Sequence, residues 1–131
     1  MAIVYNTTLI NNQLDEIAAF AGSGALLRIY SGTRPAFGGT AGTLLAELTC
    51  GTPFAGAASA GMLTANAIAD DASANASGTA TWFRVVQSNG TTAVLDGDVA
   101  TSGADLNLSS TSLIEGGTVS ITSFEITGGN A

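Results

Sequence analysis

At 131 residues and 12.9 kDa the chain has the size of one ordinary domain, and alanine, glycine, threonine and serine supply 69 of its residues. Ten carboxylates stand against three arginines, with no lysine, no histidine and one cysteine, for a net charge of −7. This inventory excludes Ser-His-Asp and Cys-His catalysis, histidine-ligated metals, iron–sulfur clusters, internal disulfides and lysine Schiff bases, and its charge repels nucleic acid and anionic membrane surfaces.

A hydrophobic content of 46% and a mean hydropathy of +0.38 predict a folded chain rather than a disordered one. The expected layout is one domain over 1–131, made of an arm (1–6), a helix (7–22) and a β region (24–127). The start Met1-Ala2-Ile3-Val4-Tyr5-Asn6 has neither a basic segment nor a continuous apolar one, so no secretory leader is predicted. No apolar run reaches membrane-spanning length. Ile3, Val4 and Tyr5 are apolar and β-prone with no partner in sequence, and are expected to add to or pack on a neighbouring subunit.

Ile10, Leu14, Ile17 and Ala21 recur at spacings of four, three and four, which is one face of a helix. Leu9, Ala18 and Phe20 widen that stripe. Asn6, Thr7 and Thr8 offer N-cap oxygens, and Gly22 and Gly24 offer the stop. Asn11, Asn12, Gln13, Asp15 and Glu16 form the expected wet side. The stripe Ile10, Leu14 and Ile17 needs a cover, either the domain's own sheet or a partner.

From Gly24 onward the pattern reads as β. Residues 25–30 and 44–50 are predicted strands separated by a Gly-rich loop over 31–43. Residues 51–61 read as irregular, 62–68 as a weak strand, and 69–78 as too polar and small for core. Residues 79–87 and 92–99 flank Asn89-Gly90, the strongest short-range hairpin signal, because a type I′ turn needs positive φ at both central residues. Short strands follow at 104–109 and 111–115. In the last strand, 118–127, Val119 and Ile121 are odd while Phe124 and Ile126 are even, so a bulge near Thr122-Ser123 is predicted. Many short strands with Gly-rich turns, and no fixed repeat, predict an all-β fold: an antiparallel, jelly-roll-like β-sandwich with one N-terminal α-helix.

Chemistry-bearing residues are sparse. Asp96-Gly97-Asp98 and Asp70-Asp71 read as solvated turn residues, because the next alternate position after Asp96 and Asp98 is Ala100, which breaks calcium-loop spacing. Gly38 to Thr43 has no lysine and opens no helix, so it is a surface loop and not a phosphate cradle. Cys50 reads as a small buried hydrophobe. Sequons at Asn6, Asn75, Asn89 and Asn107 read as chance in a Ser/Thr-rich chain. Either Trp82 or Phe83 is core, and the other is a second core layer, a sugar platform or an interface. Arg28 and Arg84 sit mid-strand among apolar residues, where a carboxylate such as Glu47 or Glu125, or a neighbouring subunit, is expected to pair them. No catalytic, cofactor or metal residues are assigned.

The segments Leu27-Arg28-Ile29-Tyr30-Ser31-Gly32-Thr33-Arg34-Pro35, Leu44-Leu45-Ala46-Glu47-Leu48, Gly78-Thr79-Ala80-Thr81-Trp82-Phe83-Arg84, Asp96-Gly97-Asp98-Val99-Ala100-Thr101-Ser102-Gly103-Ala104-Asp105-Leu106 and Gly117 to Phe124 together resemble small virion proteins of tailed bacteriophages, of the capsid decoration (cement) type. The resemblance spans roughly residues 24–127. It implies a jelly-roll-like sandwich on the outer surface of an assembled head, made in the host bacterial cytoplasm, with the major capsid protein as partner and no catalytic residues. Expected partner-binding residues are Ile3, Val4, Tyr5, Ile10, Leu14, Ile17, Arg28, Tyr30 and Arg34. Self-association is expected as a dimer ahead of a trimer. The alternative is a tail- or fibre-associated module touching a host glycan through Trp82, Tyr30 or Tyr5. A carboxylate-only glycosidase is disfavoured, since Gly-, Ala- and Ser-rich loops offer few cleft walls.

Overall fold

The computed structural model describes residues 3–128; Met1, Ala2 and 129–131 of the expected domain and arm lie outside the described residues. Helix α1 (Thr7–Ala21) starts where the Asn6 side chain accepts the Thr8 N–H at 2.8 Å and stops at Gly22, whose φ of 71° suits glycine. The Gln87 side chain donates to the Phe20 carbonyl at 2.7 Å and so satisfies one of the last-turn acceptors.

Nine strands follow among the described residues: β1 (Leu26–Tyr30), β2 (Leu44–Thr49), β3 (Met62–Thr64), β4 (Gly78–Thr79), β5 (Trp82–Val86), β6 (Ala93–Ala100), β7 (Leu106–Leu108), β8 (Ser112–Leu113) and β9 (Ile121–Thr127). Seven of them form one sheet in the order β2-β1-β5-β6-β7-β9-β3, and β4 pairs with β8 separately. The protein is thus mostly β with one N-terminal helix, and its main sheet is mixed: β6 and β7 run parallel, against the expectation of antiparallel pairing throughout. The loop at 101–105 folds back on itself, with the Asn107 side chain bonded to both the N–H and the carbonyl of Ala104, so β7 re-enters beside β6 in the same direction.

The sheet curls around one core. Phe83 on β5 meets Phe124 on β9 edge to face at 5.2 Å, although β6 and β7 separate their strands in the sheet. Phe54 joins them from the 51–61 segment at 5.9 Å from Phe124. Leu27, Ile29, Leu63, Leu106, Leu108 and Val85 fill the remainder, all at 1% exposure or less. The helix closes this core with its own stripe: Ile10 and Leu14 are 3% exposed and Ile17 packs against them. A Cβ at Gly128 would stand 2.5 Å from Ile10 Cγ2, which measures how closely the chain covers the helix. The expectation that this stripe binds a partner is therefore corrected for Ile10 and Leu14: they are core.

Three local readings also change. The wet helix side is partly used, since Asn11 accepts the Gly61 N–H at 2.9 Å and Asp15 accepts the Ala58 N–H at 2.6 Å, pinning the 56–61 loop. Of the weak strand expected at 62–68, Met62, Leu63 and Thr64 pair with β9 and the Ala65 N–H adds one bond to the Phe124 carbonyl, while 66–68 leave the sheet. Segment 69–78 does reach the core: Ala74 is 2% exposed, Asp71 pairs with Val119, and the Asn75 and Ala76 N–H groups bond the Leu45 carbonyl on the outer edge of β2. The bulge in the last strand is present. Asn107 faces Ser123 and Leu108 faces Ile121, which leaves Thr122 as the extra residue and resolves the change of parity.

Candidate functional site

The face of the sheet turned away from the core carries a rung of charge. Register places Glu47, Arg28, Arg84 and Asp96 side by side on β2, β1, β5 and β6. Two arginines as direct cross-strand neighbours repel, and each is drawn outward to its own carboxylate. Arg28 Nε donates to Glu47 Oε2 at 2.7 Å and Nη1 to the Gly90 carbonyl at 2.9 Å. Arg84 grips Asp96 with two hydrogen bonds, at 2.7 and 2.9 Å, and spends Nη1 on the Gly39 carbonyl at 2.9 Å. The Arg84–Asp96 side chains are 10% and 4% exposed, against 25% and 38% for Arg28–Glu47. Hydrogen bonding to Asp96 raises the Arg84 pKa above its ordinary value, so the guanidinium stays charged.

Arg28 thus finds Glu47, one of the two partners expected from sequence. Asp96 corrects the reading of a solvated turn: it lies within β6 and is the buried end of the rung. Asp98, two residues on, remains exposed. Arg28 is spoken for inside the chain, which leaves it little to offer a partner.

Beside the rung, Tyr30 and Trp82 face each other across β1 and β5, their rings stacked at 4.5 Å, with the Arg84 guanidinium carbon 5.2 Å from the Trp82 ring. Both are buried, at 6% and 1%, so Tyr30 is corrected from partner-binding residue to second-layer core, and Trp82 and Tyr30 are unavailable as a sugar platform. The Trp82 Nε1–H is buried with no acceptor.

Loop 31–43 rises next to this layer. The Ser31 N–H meets the Thr43 carbonyl at the neck, Thr81 Oγ1 donates to the Gly32 carbonyl at 2.6 Å, and Arg84 holds Gly39. The loop turns a carbonyl toward Arg84 at Gly39 and serves as an acceptor there, in keeping with its reading as a surface loop. It carries two side chains outward: Phe37, 64% exposed, and Arg34, whose Nε lies 3.5 Å from Asp98 Oδ1. A cleft of about 470 Å³ opens between Arg34, Pro35, Phe37 and Asp96, and a second of about 400 Å³ continues past Asp98 to Gly103 and Asp105.

At the N-terminal arm Ile3 and Val4 are 75% and 80% exposed and Tyr5 38%, a surface of the kind expected of a partner-binding arm. Cys50 is buried, and desolvation pushes its thiol pKa up from 9.0 to about 12, so it is inert at neutral pH. Among the described residues no group of three or more carboxylates and cysteines is placed to hold a metal ion. No helix among them is long and apolar enough to cross a membrane.

No protein-family model, curated protein or solved structure matches this chain.

Proposed function

We propose that this protein is a structural virion protein of a tailed bacteriophage that decorates the outside of the capsid and stabilises it by clamping neighbouring major capsid protein subunits. One observation carries the reading. The segments that resemble decoration proteins, distant in sequence, meet on one surface: Arg34 of the first reaches Asp98 of another, and Arg84 of a third ties Asp96 to loop 31–43. The exposed apolar residues that flank the fold, Ile3, Val4 and Phe37, supply contact area without being needed by the core.

The finer description of the fold, a jelly-roll-like sandwich, belongs to the same proposal; the Phe83–Phe124 contact across the curled sheet supports it. The reading assigns no catalytic role. It places the protein on the outer capsid surface after synthesis in the host cytoplasm, with self-association weak in solution and a dimer across a two-fold ahead of a trimer. The glycan-binding alternative loses its support, since two of its three aromatic residues are buried.

Copy number is the test. Quantitative mass spectrometry of purified virions should give hundreds of copies, near the number of capsid subunits, and a density map should place them outside the shell. A handful of copies at the tail, or none, removes the proposal.

A further inference from the structure

Asn89-Gly90, at the tip of the β5–β6 hairpin, is the only asparagine–glycine pair in the chain. In such a pair the glycine nitrogen attacks the asparagine Cγ. A five-membered succinimide forms, and the glycine N–H proton leaves with the side-chain amide as ammonia. Water then opens the ring at one of its two carbonyls and returns a proton to the nitrogen, giving aspartate or isoaspartate. Glycine favours the step because it has no Cβ to obstruct the attack. Asn89 is exposed, so water for the second half is at hand.

The groups that must move are nevertheless held. Asn89 Oδ1 accepts the Thr91 and Thr92 N–H groups at 2.9 and 3.0 Å, and Nδ2 donates to Thr92 Oγ1 at 2.9 Å. The nucleophile is occupied as well, since the Gly90 N–H donates to the Gln87 carbonyl at 2.9 Å. The tip is also anchored from outside the hairpin. Arg28 Nη1 on β1 donates to the Gly90 carbonyl, and the Gln87 side chain donates to the Phe20 carbonyl at the end of α1. Glu47 fixes Arg28 in turn. Ring closure requires the Asn89 amide to turn away from Thr91 and Thr92 and the Gly90 nitrogen to give up its proton. Both movements break bonds that the closed tip keeps.

We propose that Asn89 is a deamidation site gated by the fold: sealed in the native tip by Arg28 and Thr92, and released when residues 87–92 open locally. The two products then part ways. Aspartate keeps the length of the main chain and an acceptor oxygen for the Thr91 and Thr92 N–H groups, so the tip closes over it. Isoaspartate carries the main chain through Cβ and lengthens it by one carbon. Gly90 is thereby displaced from both the Gln87 carbonyl and the Arg28 guanidinium, and the tip no longer closes with the same bonds. Arg28 acts here as a positioning residue for the Gly90 peptide, beyond its pairing with Glu47. This inference stands apart from the decoration reading.

Two measurements decide it. First, native and urea-unfolded protein are held at pH 8.5, and conversion at Asn89 is followed by peptide mass mapping, with isoaspartate counted by enzymatic methylation. The unfolded chain is expected to convert at least about tenfold faster than the native one. Arg28→Ala and Thr92→Val should each raise the native rate by about threefold or more and leave the unfolded rate unchanged. Thr92→Val keeps the side-chain shape and removes only the hydroxyl, so it carries the test where Arg28→Ala fails to fold. A native rate equal to the unfolded one overturns the gating, and so does a native rate that the folded variants leave unmoved. Second, Asn89→Asp is compared with the isoaspartate form isolated from aged protein by ion exchange. The aspartate variant should melt as the wild type does and the isoaspartate form lower. An isoaspartate form as stable as the wild type overturns the claim that the closed tip rejects it.

Discussion

Phe83 lies directly on the backbone of Gly97, its partner across β5 and β6: a Cβ at position 97 would stand 2.6 Å from Phe83 Cε1 and 2.8 Å from Cζ. The ring is held from its other side by Phe124 at 5.2 Å, so it has little room to give. Gly97→Ala is expected to destabilise by about 1–3 kcal/mol through overpacking, read as a lower urea midpoint. Shrinking the ring in Phe83→Leu should make the same alanine substitution nearly neutral, and a cost that persists in that background would mean the strain lies elsewhere.

The sequence announced the hairpin that brings Gly97 there, but not the register. Counting back from Asn89-Gly90 with regular pairing sets Arg84 opposite Leu95, which would send Asp96 to a different neighbour. The shift between Val85 and Val86, where Val85 faces Leu95 and Val86 faces Ala93, slips one residue and delivers Asp96 to Arg84. Strand parity read from composition cannot see that slip. The Thr122 bulge was legible for the opposite reason, because hydrophobic residues on both sides recorded the change of face. The parallel β6–β7 pair and the burial of Ala74 were not legible, since both depend on where loops of small residues return, and small residues carry little periodicity. Of the candidate partner residues, the exposure of Ile3 and Val4 and the Arg28–Glu47 pair follow from type and position, while Tyr30 reads as available in sequence only because its stacking partner, Trp82, comes from a strand distant in the chain.

Breaking the buried rung at one end should cost more than removing it. Asp96→Ala leaves Arg84 charged, 10% exposed and without a carboxylate, at about 3 kcal/mol. Arg84→Met with Asp96→Leu removes both charges, and a double-mutant cycle should show the pair of substitutions costing less than the sum. Loop 31–43 also loses its Gly39 anchor in either background containing Arg84→Met, so cleavage between 33 and 43 in limited proteolysis should quicken while β1 stays protected. Additive energies with an unchanged cleavage pattern would contradict the assigned contacts.

Trp82 separates volume from hydrogen bonding. Its side chain is 1% exposed, so Trp82→Ala should cost about 3–5 kcal/mol. Its indole N–H has no acceptor, so Trp82→Phe removes an unsatisfied donor as well as volume and should cost well under half of that. Native emission should be blue-shifted and poorly quenched by acrylamide, both reversing in denaturant. Ready quenching in the folded state would place the ring at the surface.

Cys50 sets an alkaline limit. Its folded-state pKa, about 12, is raised above the ordinary 9.0, so from about pH 9 the unfolded chain loses the thiol proton while the folded chain keeps it. The folded state then binds more protons, and stability falls as pH rises from about 9 toward 12. Urea midpoints at pH 8 and pH 10.5 should differ in the wild type, and the difference should shrink in Cys50→Ala. The folded thiol should resist iodoacetamide at pH 8 and react on unfolding. An unchanged slope in Cys50→Ala would assign the alkaline loss to other groups.

The N-terminal arm divides binding from folding. Ile3 and Val4 lie outside the core and are at least 75% exposed, while Asn6 caps the helix through its bond to Thr8. Deleting residues 2–4 should therefore leave the melting temperature almost unchanged, whereas Asn6→Ala should cost about 1 kcal/mol through the lost cap. The arm has no ready seat on a second copy along the edge of β2, because the Leu45 carbonyl is taken by Asn75 and Ala76 and the Glu47 N–H by Asp71. In the decoration reading its apolar run is offered to the capsid. The 2–4 deletion should bind undecorated heads at least about tenfold more weakly, with the loss appearing chiefly in the dissociation rate, and should sediment as the full chain does. Unchanged occupancy on heads by the shortened protein would show that the arm contributes nothing to attachment.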